Sequence, residues 1–168
     1  MMKPSSLFLA GCIAILATPV FAHDTGNTPV EAVGKFSLKV EAELFTGLTR
    51  KAVSAASHDE DAQEWEGVAL IDVLRKAGAP VDKQLRGAAL TKVVRITAAD
   101  GYQIVFSLAE LDAGFANASV LLVDRQNGKA LSPETGPCRL VVPGDKRAGR
   151  WIRNVQTIEL LNIGEAKK

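Results

Sequence analysis

The chain has 168 residues, of which 47% are hydrophobic and 23% are charged, and it contains seven prolines. This composition is typical of one soluble domain with a sizeable core, and it argues against disorder beyond the ends. The formal net charge is only +1, so the chain lacks the basic excess that general binding to nucleic acid or to an anionic membrane requires.

Residues 1–22 predict a secretory signal peptide. Lys3 precedes an apolar run from Leu7 to Leu16, and Ala22 provides a small residue at the cleavage site. Because the run is too short for a good membrane span, we expect a mature protein that begins at His23, has no transmembrane segment and is periplasmic or secreted. The alternative is a lipoprotein signal modified at Cys12, but the apolar run continues past that cysteine.

Cleavage would change both the charge and the cysteine content. It removes Lys3 and no acidic residue, so the 19 acidic residues would be balanced by an equal number of basic ones. It also removes Cys12 and leaves Cys138 alone, which excludes an intramolecular disulfide in the mature protein. Stability must therefore come from the core, and any recognition of anions must be local.

The first half of the mature chain predicts a linker, a strand, a loop and a helix. Residues 23–34 are polar and aperiodic, and a single domain is expected over residues 35–165. Apolar residues alternate with polar ones from Lys35 to Glu41, which indicates a strand with one buried face. Residues 49–68 are polar and acidic, and we expect most of them to form an exposed loop. A short helix is predicted over Leu70–Ala77, ended by Gly78 and Pro80.

The second half predicts mainly strands. The runs "KVVRIT" and "YQIVF" flank Asp100 and Gly101 and indicate a hairpin. Ser107 and Glu110 have the spacing of a capping box at the start of a brief helix that Gly114 ends. Further strands are expected in "SVLLVD", before a turn at Asn127 and Gly128, in Arg139–Val142 and in "VQTIELL". The fold class is therefore α+β, rich in β-structure with short helices.

Nucleophilic catalysis has little support in the sequence. Only His23 and His58 remain as imidazole bases, and neither lies in a recognised catalytic motif. An N-terminal His23 could chelate copper through its amine and imidazole, but a frayed terminus is the simpler interpretation. No catalytic residue and no metal ligand is therefore assigned.

Three other residues, Cys138, Trp65 and Trp151, are of types that can have a functional role. Arg139 beside Cys138 could lower the pKa of the thiol, but neighbours on a strand point to opposite faces, so Cys138 is interpreted as buried packing. Trp65 and Trp151 are interpreted in the same way, as core or rim packing rather than stacking platforms. These assignments leave the basic residues as the main candidates for a site.

The basic turn, residues Pro143–Arg153, contains Lys146, Arg147, Arg150 and Arg153 after a Pro-Gly pair. Arginine can hold a phosphate bidentately, and outward backbone N–H groups in such a turn can help to bind an anion. Basic residues also cluster on ordinary solvated loops. The charge pattern by itself leaves both interpretations open.

Several motifs, in order, resemble the oxidoreductase molybdopterin-binding domain of sulfite-oxidase type. They are "WEGVALIDVLRKAG", "ADGYQIVFSLAEL" and "VLLVDRQNGKALSPETGPCRLVVPGDKRAGRWIRNVQTIEL". The resemblance implies a β-rich α+β fold and a molybdopterin cofactor with two-electron chemistry at molybdenum. It also implies that Arg139, Lys146, Arg147 and Arg150 contact the cofactor and, more loosely, that Tyr102 lies in the substrate pocket.

One departure from the family pattern limits this implication. Family enzymes ligate molybdenum with a cysteine upstream of the Trp-x-Gly segment, and "KAVSAASHDEDAQEWEG" contains none. Two main hypotheses follow: a secreted or periplasmic protein that binds a pterin or another anion and has lost catalysis, or a non-catalytic module that docks on a periplasmic redox or sensor protein. A third is an enzyme whose open metal has no protein thiolate.

Overall fold

Two antiparallel sheets carry most of the chain in the computed structural model, which describes residues 36–56 and 61–164. Across the first sheet the strands are, in order, β1 (Phe36–Lys39), β9 (Val155–Asn162), β4 (Lys92–Ala98) and β5 (Gln103–Ser107). The second contains, in order, β2 (Arg50–Ala55), β3 (Gln63–Ala69), β6 (Leu121–Gln126) and β7 (Lys129–Ala130), and β8 (Arg139–Val141) also pairs with β6. The helices are α1 (Leu70–Lys76) and α2 (Leu108–Leu111), with short 3₁₀ turns elsewhere. The predicted α+β class is confirmed.

The β4–β5 hairpin forms as the sequence predicts. Buried and half-buried residues alternate along β4, with Val94 and Ile96 fully buried. The connection is the four-residue loop 99–102, in which Gly101 has a φ of 84°, a left-handed conformation that glycine adopts without strain. β5 is the outer strand of its sheet, so this hairpin turn lies at the sheet margin.

The expectation of a loop over residues 49–68 is wrong. Residues 50–55 and 63–69 form β2 and β3, which pair in register from Arg50 with Val68 to Ala55 with Gln63. The composition misleads because β2 is an edge strand whose residues are mostly exposed, and polar side chains are common on such strands. On β3, by contrast, Trp65 is 1% exposed and lies in the core.

Both predicted helices are present. α1 ends one residue before the expected boundary, and Gly78 follows with a φ of 84°. The capping box of α2 is complete, since Ser107 accepts from the Glu110 N–H and Glu110 accepts from the Ser107 N–H. α2 stops at Leu111 rather than near Gly114, because Asp112 adopts an extended conformation and its carboxylate accepts from the N–H groups of Asp82 and Gly114.

One cluster of buried side chains contains residues from both sheets and both helices, so the two sheets share a core. The predicted strand at the start of the domain joins this architecture by pairing with the last strand, for example Leu38 with Ile158. No helix in the described part of the chain is long and apolar enough to cross a membrane. The predictions for the signal peptide, the linker, Cys12, His23 and His58 concern residues outside the described ranges.

Candidate functional site

The hairpin turn and the basic turn are joined by one hydrogen bond. The Tyr102 hydroxyl donates to the Gly149 carbonyl at 2.9 Å, across 47 positions of sequence. The Asp100 carboxylate accepts from the Tyr102 N–H at 2.9 Å, which fixes the backbone from which the ring projects. The Tyr102 side chain nevertheless remains 52% exposed, so it forms part of the surface between the two turns.

A polar groove of about 450 Å³ lies where these turns meet. Tyr102 and Asp100 line it from the hairpin, and Gly149 and Arg153 line it from the basic turn. The buried Trp151 and the half-buried Asn154 also contribute to its wall. The volume lies within the range of natural small-molecule sites, but the lining is mainly polar and includes the carboxylates of Asp100 and Glu134 as well as Arg153.

Arg150 is held by two carboxylates rather than facing the groove. Its Nε and Nη2 atoms donate to Asp145 at 2.8 and 2.6 Å, and its Nη1 atom donates to Glu110 at 2.8 Å. The guanidinium carbon lies 4.4 Å from the centre of the Phe106 ring. The bonds to Asp145, and then those to Glu110, raise the pKa of Arg150 against the opposing effect of partial burial. We call these four residues the Arg150 clamp.

The other cations of the basic turn remain available to a ligand. Lys146, Arg147 and Arg153 are exposed, and they make no ion pair with any other residue that the structure describes. Arg153 lines the polar groove, whereas Lys146 and Arg147 lie outside its lining. The turn therefore has one internally neutralised arginine and three exposed cations.

Arg139 lies among aromatic rings. Its guanidinium carbon is 4.8 Å from the Trp65 ring centre and 5.8 Å from that of Trp151. The two indoles meet edge to face at 6.2 Å, and each donates its N–H to a backbone carbonyl, of Ala55 and of Val142. Both tryptophans are buried, which confirms the prediction of core packing. Arg139 is therefore half-buried in a cation–π contact and does not line the polar groove.

Cys138 is also a packing residue. Its side chain is 1% exposed, and burial, followed by the nearby charge of Asp124, raises the pKa of the thiol. The thiol therefore stays protonated at neutral pH, whereas both nucleophilic attack and metal ligation require the thiolate. The predicted structural role of Cys138 is confirmed.

Sequence reasoning missed two acidic residues that determine the environment of Arg150. The sequence indicates Glu110 only as a helix cap, and it gives Asp145 no assigned role. Glu110 lies 40 positions from Arg150 along the chain, so no local pattern indicates their contact. Asp145, five positions away, could have been noted as the one acidic residue among the cations of the turn.

The fold and the site define a small two-sheet α+β domain with a polar groove beside a basic turn. A family model described as oxidoreductase molybdopterin binding domain matches residues 37–166. The chain belongs to this family, which confirms the resemblance to the sulfite-oxidase type. No curated protein matches the chain.

The described residues are suited to the phosphate of the molybdopterin cofactor but not to its molybdenum. The exposed cations Lys146, Arg147 and Arg153 are suited to its phosphate. The molybdenum ligand supplied by the protein in this family is a cysteine thiolate, however, and Cys138, the one cysteine among the described residues, is buried and protonated. Within residues 36–56 and 61–164, no group of three or more His, Cys, Asp and Glu side chains could hold a metal ion. No redox step at a metal follows from these residues.

Proposed function

We propose that this member of the molybdopterin-binding family binds a pterin or another anionic ligand outside the cytoplasm and has lost thiolate-dependent catalysis. The observation that carries the proposal is the Tyr102–Gly149 hydrogen bond, which joins the hairpin turn to the basic turn and forms the polar groove beside Arg153. The phosphate of the ligand is assigned to Lys146, Arg147 and Arg153, and its ring to the groove beside Tyr102.

Arg139 and Arg150 have supporting positions in this proposal. Arg139 contacts both buried indole rings. One of them, that of Trp151, contributes to the groove wall. Arg150 holds the basic turn against Phe106, which lies on the first sheet, and against Glu110, which lies on α2. Both would act mainly by shaping the site, and direct contact of Arg150 with an anion would require its carboxylate partners to move.

Ligand binding can be tested with 6-carboxypterin, a fluorescent pterin that carries an anionic group. The double variant Lys146→Ala/Arg147→Ala should bind it about tenfold more weakly, because two charge-assisted contacts are lost. Arg125→Ala/Lys129→Ala removes the same charge from an exposed hairpin on the second sheet and should leave the affinity unchanged. Equal losses in both double variants would contradict a site at the basic turn.

The cofactor itself can be tested on protein purified from the periplasm of a host that synthesises molybdopterin. Mass spectrometry of the released pterin and elemental analysis should find pterin without stoichiometric molybdenum. Stoichiometric molybdenum that persists in a Cys138→Ala variant would overturn the proposed loss of metal chemistry. N-terminal sequencing of the same sample should begin at His23.

A second candidate function is docking on a periplasmic redox or sensor protein. This function is favoured by β5, which is an edge strand of the first sheet and has no charged residue. The Val105 side chain on this strand is exposed. Edge strands can pair with a strand of a partner. Val105→Lys should abolish such docking and leave pterin binding unchanged. Lys146→Ala/Arg147→Ala, by contrast, should weaken pterin binding.

A further inference from the structure

Arg150 already binds two anions, and both belong to the protein. Asp145 occupies the Nε and Nη2 side of the guanidinium, and Glu110 occupies Nη1. Three of the five N–H groups of an arginine are thereby used. The bidentate geometry that Asp145 adopts is the one by which arginine recognises phosphate.

Both acidic residues make a further hydrogen bond, Glu110 through its carboxylate and Asp145 through its backbone. Glu110 accepts from the Ser107 N–H through its second oxygen, as part of the capping box of α2. Asp145 donates its backbone N–H to the Val142 carbonyl at 3.0 Å, which fixes the start of the turn. The Asp145 and Glu110 side chains are 18% and 32% exposed, so solvent screens their charges only in part. The clamp is therefore built into the fold.

We infer that Asp145 and Glu110 compete with the anionic ligand for Arg150 and thereby set the anion affinity of the basic turn; this inference rests on the site of the proposed function. An incoming phosphate must either displace Asp145 from Arg150 or bind through the exposed cations alone. In the second case, the two carboxylates repel it. Removing their charges should convert Arg150 from a structural residue into a direct anion ligand.

The test uses inorganic pyrophosphate as the probe, with isothermal titration calorimetry at low ionic strength. Asp145→Asn/Glu110→Gln should bind pyrophosphate at least about tenfold more tightly than the unmodified protein, since a charge-assisted contact is gained and repulsion is lost. Adding Arg150→Gln to the double variant should abolish most of the gain, because the new contact with Arg150 is then lost. Glutamine can replace glutamate in a capping box, and asparagine at position 145 retains the backbone bond to Val142.

A second two-carboxylate arginine provides the matched control. Arg75 donates to both Asp72 and Asp82, and Asp72→Asn/Asp82→Asn changes the net charge by the same amount away from the basic turn. This control should not bind pyrophosphate more tightly. If it gains as much affinity as Asp145→Asn/Glu110→Gln, freeing any arginine from two carboxylates is sufficient, the basic turn has no particular role, and the inference is overturned.

The outcomes separate this inference from the proposed function. If Lys146→Ala/Arg147→Ala weakens pterin binding but the clamp double variant binds pyrophosphate no better, the inference is wrong and the proposed function stands. If the unmodified protein binds neither probe while the clamp variant binds pyrophosphate through Arg150, the inference stands and the proposed function is wrong. Should the double variant not fold, Glu110→Gln alone decides, with tighter binding in support and unchanged binding against.

Discussion

Replacing Arg150 by alanine should destabilise the domain far more than replacing its neighbour Arg147. Arg150→Ala removes the bidentate contact with Asp145, the bond to Glu110 and the stacking on Phe106. The Arg150 side chain is 36% exposed, so each ion pair contributes only about 0.5–1 kcal/mol, and the cation–π contact contributes about as much. The free energy of unfolding should therefore fall by about 2 kcal/mol.

Urea unfolding monitored by circular dichroism measures this difference in the free energy of unfolding directly. A loss of about 2 kcal/mol corresponds to a fall in Tm of roughly 6–10 °C for a domain of this size. Arg150→Lys keeps the charge but cannot make the bidentate contact, so it should lose about half as much. Adding 1 M NaCl should reduce the differences, because salt screens partly exposed pairs.

Arg147→Ala is the matched control for this prediction. Arg147 is exposed and makes no ion pair with the residues described, so its loss should change the stability by less than about 0.5 kcal/mol. If Arg150→Ala is no more destabilising than this control, the clamp contributes no net stability. The reasoning about Arg150 as the residue that holds the basic turn would then be refuted.

Three further predictions concern the core and the helix cap. Above pH 9.0, which is the ordinary pKa of a cysteine, the Cys138 thiol loses its proton in the unfolded chain but keeps it in the buried site. The free energy of unfolding should therefore fall by up to about 1.4 kcal/mol per pH unit. Urea unfolding of Cys138→Ala should lack this part of the pH dependence. Gly67→Ala should prevent β3 from pairing with β6, because a Cβ would overlap the Leu122 carbonyl, and the loss, seen by thermal melting, should exceed about 3 kcal/mol. Ser107→Ala should lower the urea-unfolding free energy by about 1 kcal/mol through loss of the helix cap, and an equal loss in Ser132→Ala, on an exposed loop, would contradict this.

The basic turn shows why a charge pattern does not define a site. Lys146, Arg147, Arg150 and Arg153 look equivalent in the sequence, yet the fold gives them different roles. Arg150 meets a carboxylate from α2 and becomes structural, whereas Arg153 lines the groove beside Tyr102. Lys146 and Arg147 stay exposed at the surface of the turn. The long-range contacts with Glu110 and with the hairpin turn, together with the nearby Asp145, distinguish these four cations.

The sequence by itself determined the features that depend on local chemistry. The alternation of apolar residues along Lys92–Ala98 and the left-handed Gly101 specify the hairpin, and the spacing of Ser107 and Glu110 specifies the cap of α2. These elements depend on side-chain periodicity, backbone freedom and hydrogen bonds within a few residues. The order of the motifs also indicated the family, which the match to residues 37–166 confirms.

Only the tertiary structure decided which distant segments meet. The polar composition of β2 predicts a loop because it reflects an exposed edge, whereas in the fold its pairing with β3 is stabilised by the buried Trp65. The Tyr102–Gly149 bond and the Arg150–Glu110 bond each join segments at least 40 positions apart. Such contacts form because burying the shared core brings the turns together, and no periodicity within either segment specifies its partner.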